Sequence, residues 1–525
     1  LGVAAHTVCA PLNPHLRPAE LAFELDDLSI RAVVVAGDHP VVAVAEERGV
    51  TVLRAVDVME RGAGACRIEG GDVTTPDAPP RFTDDVALAL HTSGTTARPK
   101  IVPLTRANLA ASARNVARVL TLSPDDRALN VMPLFHIHGL VAALLASLRV
   151  GASVVCTDGF YAPDVAGWIS SCEPTWTTAV PTIHLALLAR PDAATAGRGR
   201  LRFLRSSSAP LAPALLGDLE RAFGVPVVEA YGMTEAAHQI ACNPRPPGER
   251  RPGTVGRAAG PELAVMGPEG ELLPAGATGE IVLRGQNVMS AYVTDDPGVN
   301  ARAFAHGWFH TGDQGHVDDD GYVTITGRLK ELINRGGEKI APREVDDVLV
   351  AHPAVATALT FAVPDERLGE QVAAAVVLAE GADARERELR EFVALRLAAH
   401  KVPRRVVFVH DLPKGPTGKP ARIGLAERLG LADLDRDGRG PMPHTAPRDD
   451  VERWLAREWS TVLGVHDPSV HDRFLDLGGD SMLATRLLAR VRAALAVELS
   501  MLDFYDAPTI AAQAALVARH LAGER

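Results

Sequence analysis

Short apolar runs alternating with amphipathic segments fill the first 320 or so residues, and this alternation limits the fold more than any other feature. RAVVVAG (31–37), DVALALHT (85–92), ASVVCT (152–157), WTTAVP (176–181), LRFLRSSS (201–208) and VPVVEAYG (225–232) read as strands. TRANLAASARNVARVL (105–120) is helical in spacing and follows the second of them. Buried strands interleaved with helices pack as layers, so a multi-layer α/β unit is expected. From about residue 253 the pattern changes to short Gly-punctuated strands such as GEIVLRG (279–285) and GYVTITG (321–327), which predicts a β-rich end to this unit.

The large unit is expected to span 1–327, and a small α+β unit 328–430. LADLDRDGRGPMPHTAP (431–447) is polar, rich in Gly and Pro and without apolar period, so it reads as a linker. Within 448–525, DDVERWLAREWSTVLGV and SMLATRLLARVRAALAV have helical spacing. A short helix and a final one at 508–521 would complete an all-α four-helix bundle. No internal repeat is visible.

Hydrophobic residues make up 47% of the 525, enough for large cores. A net charge of −11 argues against binding to nucleic acid, because a phosphate backbone is held by clustered cations. The longest apolar run, GLVAALLASL (139–148), stops at Arg149 and reads as a core helix, so no membrane span is expected. Cys9, Cys66, Cys156, Cys172 and Cys242 are odd in number and scattered, which predicts reduced thiols in a cytoplasmic protein. The opening LGVAAHTVCAPLNP lacks the charged start of a signal peptide, and none is expected. Basic residues are almost all arginine. Only Lys100, Lys330, Lys339, Lys401, Lys414 and Lys419 are lysine, the compact charge suited to a single phosphate oxygen in a tight space.

HTSGTTARPK (91–100) follows a strand and precedes a helix. Its backbone N–H groups, hydroxyls and lysine could wrap phosphate, although it is not a Walker A loop and a plain surface loop has the same composition. Four other segments add chemistry. EAYGMTE (229–235) groups Tyr, Thr and Glu for base stacking, phosphate contact and Mg²⁺ binding. WFHTGD (308–313) offers Asp313 to a ribose diol. GRLKELINRGGEKI (327–340) carries Arg328, Lys330 and a Gly-Gly turn, and LPKGPTGKP (412–420) ends at Lys419.

In this order the segments resemble the core motifs of the adenylate-forming superfamily of acyl-CoA synthetases, luciferases and peptide-synthetase adenylation domains, over residues 1 to about 430. The start at Leu1 is similar to an early family segment, so the family's first few dozen residues are expected to be missing. The resemblance implies a large adenylation subdomain at 1–327, a small lid at 328–430, and a two-step reaction. A carboxylate and Mg·ATP give an acyl-adenylate and pyrophosphate, and a thiol then displaces AMP.

By motif match Thr92, Ser93, Gly94, Thr95, Thr96 and Lys100 would hold the β- and γ-phosphates. Tyr231 and Gly232 would lie on adenine beside the Ser208-Ala209-Pro210 turn, Thr234 would touch the α-phosphate, and Glu235 would bind Mg²⁺. Asp313 and Arg328 would hold the ribose. Lys419 would stabilise the charge that develops in transfer, and Lys330 would be the hinge of the lid. The chain departs from the family at Ala97 and Ile101, where glycines are usual, and at Pro420 after the catalytic lysine.

Peptide-synthetase domains neutralise an amino acid's ammonium with an Asp after the phosphate loop. Here VMPLFHIHGL (131–140) has no acid, so a free α-amino acid is not expected. His136 matches the gate residue of acyl-CoA synthetases, and His138 reads as a packed, hydrogen-bonded histidine. PLFHIHGL, TAVPTIH, RSSSAPL and EAYGMTEAAHQ resemble the oxalyl-CoA synthetase branch. His184, Ser206, Ser207 and His238 would then line a polar pocket for a short or dicarboxylic acid.

DRFLDLGGDSMLATRLLARV (472–491) brings Ser481 to the start of a helix with Leu483, Leu487, Leu488 and Val491 at helical spacing. It resembles the phosphopantetheine site of peptidyl and acyl carrier domains, over about 447 to 525. That implies 4′-phosphopantetheine on Ser481, a phosphopantetheinyl transferase as partner, and a downstream biosynthetic enzyme that takes the acyl group. The thiol acceptor is this arm, CoA, or both. An acyl-CoA synthetase whose carrier is loaded by another enzyme, and a scaffold with an inactive adenylation domain, are the competing readings.

Overall fold

The computed structural model describes residues 2–57, 66–71, 82–92, 99–335, 338–365, 368–412, 422–431, 444–472, 474, 477 and 481–521. The chain divides into two compact units, Leu1–Leu329 and Lys330–Arg525.

The first unit is built on a seven-stranded sheet in the order Arg257–Ala258, His238–Cys242, Val227–Met233, Phe203–Ser206, Trp176–Ala179, Arg127–Asn130, Ser153–Cys156. The five strands from Val227–Met233 to Ser153–Cys156 run parallel, and the other two pair antiparallel. Both faces of the parallel part are covered, which is why FLRS and WTTA are buried at every residue, Arg205 included. The expected β-rich end is a four-stranded antiparallel sheet of Glu262–Met266, Gly279–Arg284, Phe309–Val317 and Val323–Arg328. A three-stranded sheet joins Ala32–Val35, Thr51–Asp57 and Cys66–Gly70.

Two expectations change. Residues 91–100 do not pass directly from strand to helix, because Ile101–Thr105 pairs antiparallel with Val86–His91 and makes the segment the tip of a hairpin. Ile101, Val102 and Leu104 are buried, and that apolar gain outweighs the donor missing at Pro103. Thr105 then caps the helix Arg106–Val119, its hydroxyl accepting from the Asn108 N–H. GLVAALLASL does enter the core as a helix, but His138–Leu145 is π-helical and only Ala146–Arg149 is α-helical. Gly139 permits this, since a Cβ there would stand 2.4 Å from the Pro133 carbonyl.

The second unit holds a five-stranded sheet centred on Gly369–Leu378 and Val355–Asp365, with helices Pro342–Val350 and Glu386–Ala394 packed on it. It also holds four helices at Asp450–Leu463, Ser481–Leu495, Met501–Asp506 and Ile510–Leu521. These share their own core of Leu455, Trp459, Phe474, Leu487, Val491, Phe504 and Val517. Trp459 lies edge-on to Phe474 and donates its indole N–H to Gln513 Oε1 at 3.0 Å, so the largest buried ring of this core is also polar-satisfied. Among the described residues no helix is long and apolar enough to cross a membrane. All five cysteines are free thiols.

Candidate active site

The neck of the hairpin loop is closed by a reciprocal pair of bonds. The Thr92 N–H donates to the Lys100 carbonyl at 2.8 Å, and the Lys100 N–H donates to Thr92 Oγ1 at 3.1 Å. Ser93, Gly94, Thr95 and Thr96 lie outside the described residues. Just before the neck, His91 is clasped from both sides, with Nδ1 on Glu24 and Nε2 on Asp27 at 2.7 Å. Burial works against its charge, but the bonds and charges of the two carboxylates outweigh it and raise its pKa above 6.5.

Lys100 Nζ stands 4.4 Å from the centre of the Tyr292 ring, and the Tyr292 hydroxyl donates to Glu235 Oε1 at 2.8 Å. Tyr292 therefore joins the lysine expected to meet phosphate to the carboxylate expected to meet Mg²⁺. The sequence reading missed it. Its only advance signal is scarcity, since the chain has five tyrosines. Glu235 is 8% exposed, and burial raises its carboxyl pKa while the Tyr292 bond opposes the rise. No group of three or more His, Cys, Asp or Glu among the described residues could hold a metal alone. One hard carboxylate fits Mg²⁺ that takes its remaining ligands from substrate phosphates and water.

Tyr231, Asp313 and Arg328 form the second cluster. Strand pairing sets Asp313 opposite Arg328, whose Nε donates to Asp313 Oδ1 at 3.0 Å, and the Tyr231 hydroxyl donates to Oδ2. Burial first, and then the charge of Asp313, hold the Tyr231 phenol protonated far past neutrality. Gly232 sits where the pairing of Val227–Met233 with His238–Cys242 shifts register, and a Cβ there would fall 1.9 Å from the His238 carbonyl oxygen. This close approach leads the chain into the turn Thr234–Ala236 that carries Thr234 and Glu235. Ser208 opens the Ser208-Ala209-Pro210 turn with φ of +71°, a left-handed conformation uncommon for serine.

At the carboxyl ends of the parallel strands, where open α/β sheets bind ligands, stands a polar patch. His138 is buried, with Nδ1 3.0 Å from Ser208 Oγ and Nε2 2.7 Å from Thr178 Oγ1, which matches the packed reading of this residue. The His238 ring lies 5.1 Å from it. The hydroxyls of Ser206 and Ser207 are buried without a hydrogen-bond partner among the described residues. His184 is fully buried, and burial lowers its pKa to about 4. It is therefore neutral, with Nε2 3.0 Å from the Arg205 carbonyl. His136 is half-buried against Phe135. Lys330 is exposed and begins the second unit. Lys419 lies outside the described residues. Ser481 begins the helix Ser481–Leu495, and its side chain lies outside the described residues.

The sequence profile of the family described as AMP-binding enzyme matches residues 3–293, more than half of the chain. The chain belongs to the AMP-binding enzyme family. The profile of the AMP-binding enzyme C-terminal domain matches 344–419, and that of the phosphopantetheine attachment site matches 453–517. The chain is 42% identical to an oxalate–CoA ligase of Arabidopsis thaliana over 436 residues, which is 81% of this chain and 84% of the relative. It is 40% identical to a sulfoacetate–CoA ligase of Cupriavidus necator over 429 residues, covering 81% and 83%. Among solved structures, ATP-bound MatB from Rhodopseudomonas palustris superposes with a TM-score of 0.71 at 31% identity, over 82% of this chain and 84% of that one. This AMP-binding enzyme is an ATP-using, AMP-forming acid–thiol ligase that acts through an acyl-adenylate and carries a phosphopantetheine attachment domain.

Proposed function

We propose that this ligase activates a short, polar carboxylic acid other than an amino acid, and passes the acyl group to the pantetheine thiol on its own Ser481. The union of an AMP-binding enzyme with a phosphopantetheine attachment site in one chain carries this reading. A tether of this length raises the local thiol concentration to about millimolar.

In the first half-reaction a carboxylate oxygen bonds to the α-phosphorus, the bond from that phosphorus to the bridging oxygen breaks, and pyrophosphate leaves. Thr92, Ser93, Gly94, Thr95, Thr96 and Lys100 restrain the departing phosphates, and Thr234 holds the α-phosphate. Glu235, oriented by Tyr292, contributes the protein ligand to Mg²⁺, which neutralises phosphate charge when bound. Tyr231 and Gly232, with the Ser208-Ala209-Pro210 turn, seat the adenine, while Asp313 and Arg328 take the ribose diol. Lys419 stabilises charge in transfer, His136 gates the second step, and Lys330 is the hinge. In the second half-reaction the thiol loses its proton and sulfur attacks the acyl carbon, breaking the bond to AMP.

The absence of Asp and Glu from 131–140 supports an acid without an ammonium group. The polar side chains of His184, Ser206, Ser207 and His238 support a small, polar one. Oxalate and sulfoacetate, in the names of two relatives, are acids of this kind. Those relatives are also CoA ligases, which favours free CoA as a second acceptor. ATP–pyrophosphate exchange over oxalate, malonate, acetate, short amino acids and long fatty acids tests the acid. Preference for a long alkyl chain or an amino acid contradicts the reading.

A further inference from the structure

Arg205 lies on the strand Phe203–Ser206, one residue before its carboxyl end, and is completely buried. Its Nη1 donates to Thr178 Oγ1 at 3.2 Å and its Nη2 to Gln239 Oε1 at 3.0 Å. Among the described residues no Asp or Glu pairs with it, and its Nε has no hydrogen-bond partner. A guanidinium taken out of water costs several kcal/mol unless an opposite charge meets it, so a buried arginine bonded only to neutral groups is unusual in a folded core. Nothing in the adenylation machinery described above uses this charge.

The bonds around it have a direction. Arginine can only donate, so Thr178 Oγ1 accepts from Arg205 and is left with one proton of its own. His138 Nε2 stands 2.7 Å away, and in the tautomer that carries its ring hydrogen on Nδ1 it accepts that proton. In that tautomer Nδ1 donates to Ser208 Oγ at 3.0 Å. The Ser208 O–H becomes the outward end of the chain, on a half-buried residue whose left-handed backbone turns it away from the strand. Each member polarises the next in the same sense, and in a low-dielectric interior such chains strengthen cooperatively.

We infer that Arg205 selects the acid: through Thr178, His138 and Ser208 its uncompensated positive charge favours a substrate whose second polar group is an anion, a carboxylate or a sulfonate. The inference rests on the ligase reading above and adds to it both a charge requirement and the residue that sets it. Arg205 is a positioning residue, since it acts through Ser208 and does not touch the reacting atoms. A short acid with no second anionic group would leave the charge unmet, and an ammonium-bearing acid would be repelled. The unpartnered Ser206 and Ser207 hydroxyls supply further donors for an anion at the same strand end.

ATP–pyrophosphate exchange on the full chain, comparing oxalate and malonate with acetate and propionate, tests this. Wild type prefers the dianions. Arg205→Met lowers kcat/KM for the dianions by at least about tenfold, mainly through KM of the acid, while the monocarboxylates and KM of ATP change little; tenfold is the low end of what weakening one hydrogen bond to a charged group gives. Arg205→Lys restores part of the dianion preference. Thr178→Val cuts the chain and keeps the arginine, so it reproduces the selective loss if Arg205→Met does not fold. Equal losses for dianions and monocarboxylates in the variants, or a wild-type preference for monocarboxylates, overturn the inference and leave the ligase reading standing. Exchange with no acid at all overturns that reading itself.

Discussion

The phenol of Tyr292 touches Glu235 through its hydroxyl and Lys100 through its ring, and it lies 57 residues from the first and 192 from the second. Removing the hydroxyl leaves Glu235 more costly to ionise, because burial already raises that carboxyl and the Tyr292 bond, after a backbone hydrogen bond, opposes the rise. Tyr292→Phe is therefore predicted to move the acid limb of the pH–exchange profile to higher pH. It should also raise the Mg²⁺ concentration for half-maximal rate by about tenfold, the scale of one hydrogen bond to a charged group. An unmoved acid limb would sever Tyr292 from Glu235. His91 gives a second test, with opposite sign. Its folded pKa is raised above 6.5, so the clasp by Glu24 and Asp27 stabilises fully below that pH and is lost as pH rises through the folded value. Urea midpoints should fall from pH 6 to pH 9 by more in wild type than in His91→Asn; equal falls would show that the clasp contributes nothing. The pairing of Asp313 with Arg328 could be anticipated because motif spacing singles both out. The contacts of Tyr292, Thr178 and Arg205 could not, because their partners are far away in sequence and are brought close only by the fold.

At the scale of elements, the close pass of Val227–Met233 against His238–Cys242 depends on Gly232 having no side chain. Gly232→Ala would force the strands apart at the bulge, since 1.9 Å to a backbone oxygen cannot be relieved by a rotamer change. The predicted outcome is a loss of at least about 2 kcal/mol in unfolding free energy, in the range of backbone and overpacking effects, together with weaker ATP binding by calorimetry. A variant with unchanged stability and affinity would mean that the approach is looser than described. The parallel strands were readable as apolar runs. Ile101–Thr105 was not, because Pro103 argues against a strand and only the hairpin geometry, with pairing to Val86–His91, accommodates it. The π-helical turn of His138–Leu145 was equally hidden, as apolar spacing over eight residues does not separate one helix type from another.

Within the second unit, the four-helix bundle meets the α+β part through charge. Arg387 Nη2 lies 2.8 Å from Asp503 Oδ1, and Arg390 reaches Asp506 through both terminal nitrogens at 2.8 and 3.1 Å. Asp506 is about half exposed, so a double-mutant cycle of Arg390→Ala and Asp506→Ala in urea unfolding should give a coupling of up to about 1 kcal/mol that shrinks with added salt. Zero coupling would detach the bundle from this helix. The order of an AMP-binding enzyme, its C-terminal domain and a phosphopantetheine attachment domain was legible along the chain, because each has its own composition. The charge pairing was not, since arginines and aspartates on helices usually face water.

The central claim, that one chain both makes the acyl-adenylate and receives the acyl group, is tested most directly by intact-protein mass spectrometry. The phosphopantetheinylated protein is incubated with ATP, Mg²⁺ and oxalate or malonate, beside a Ser481→Ala control. The account predicts one acyl increment on the holo-protein, dependent on ATP and absent from the control. Formation of free acyl-CoA alone, with the arm on Ser481 left unacylated, would contradict it.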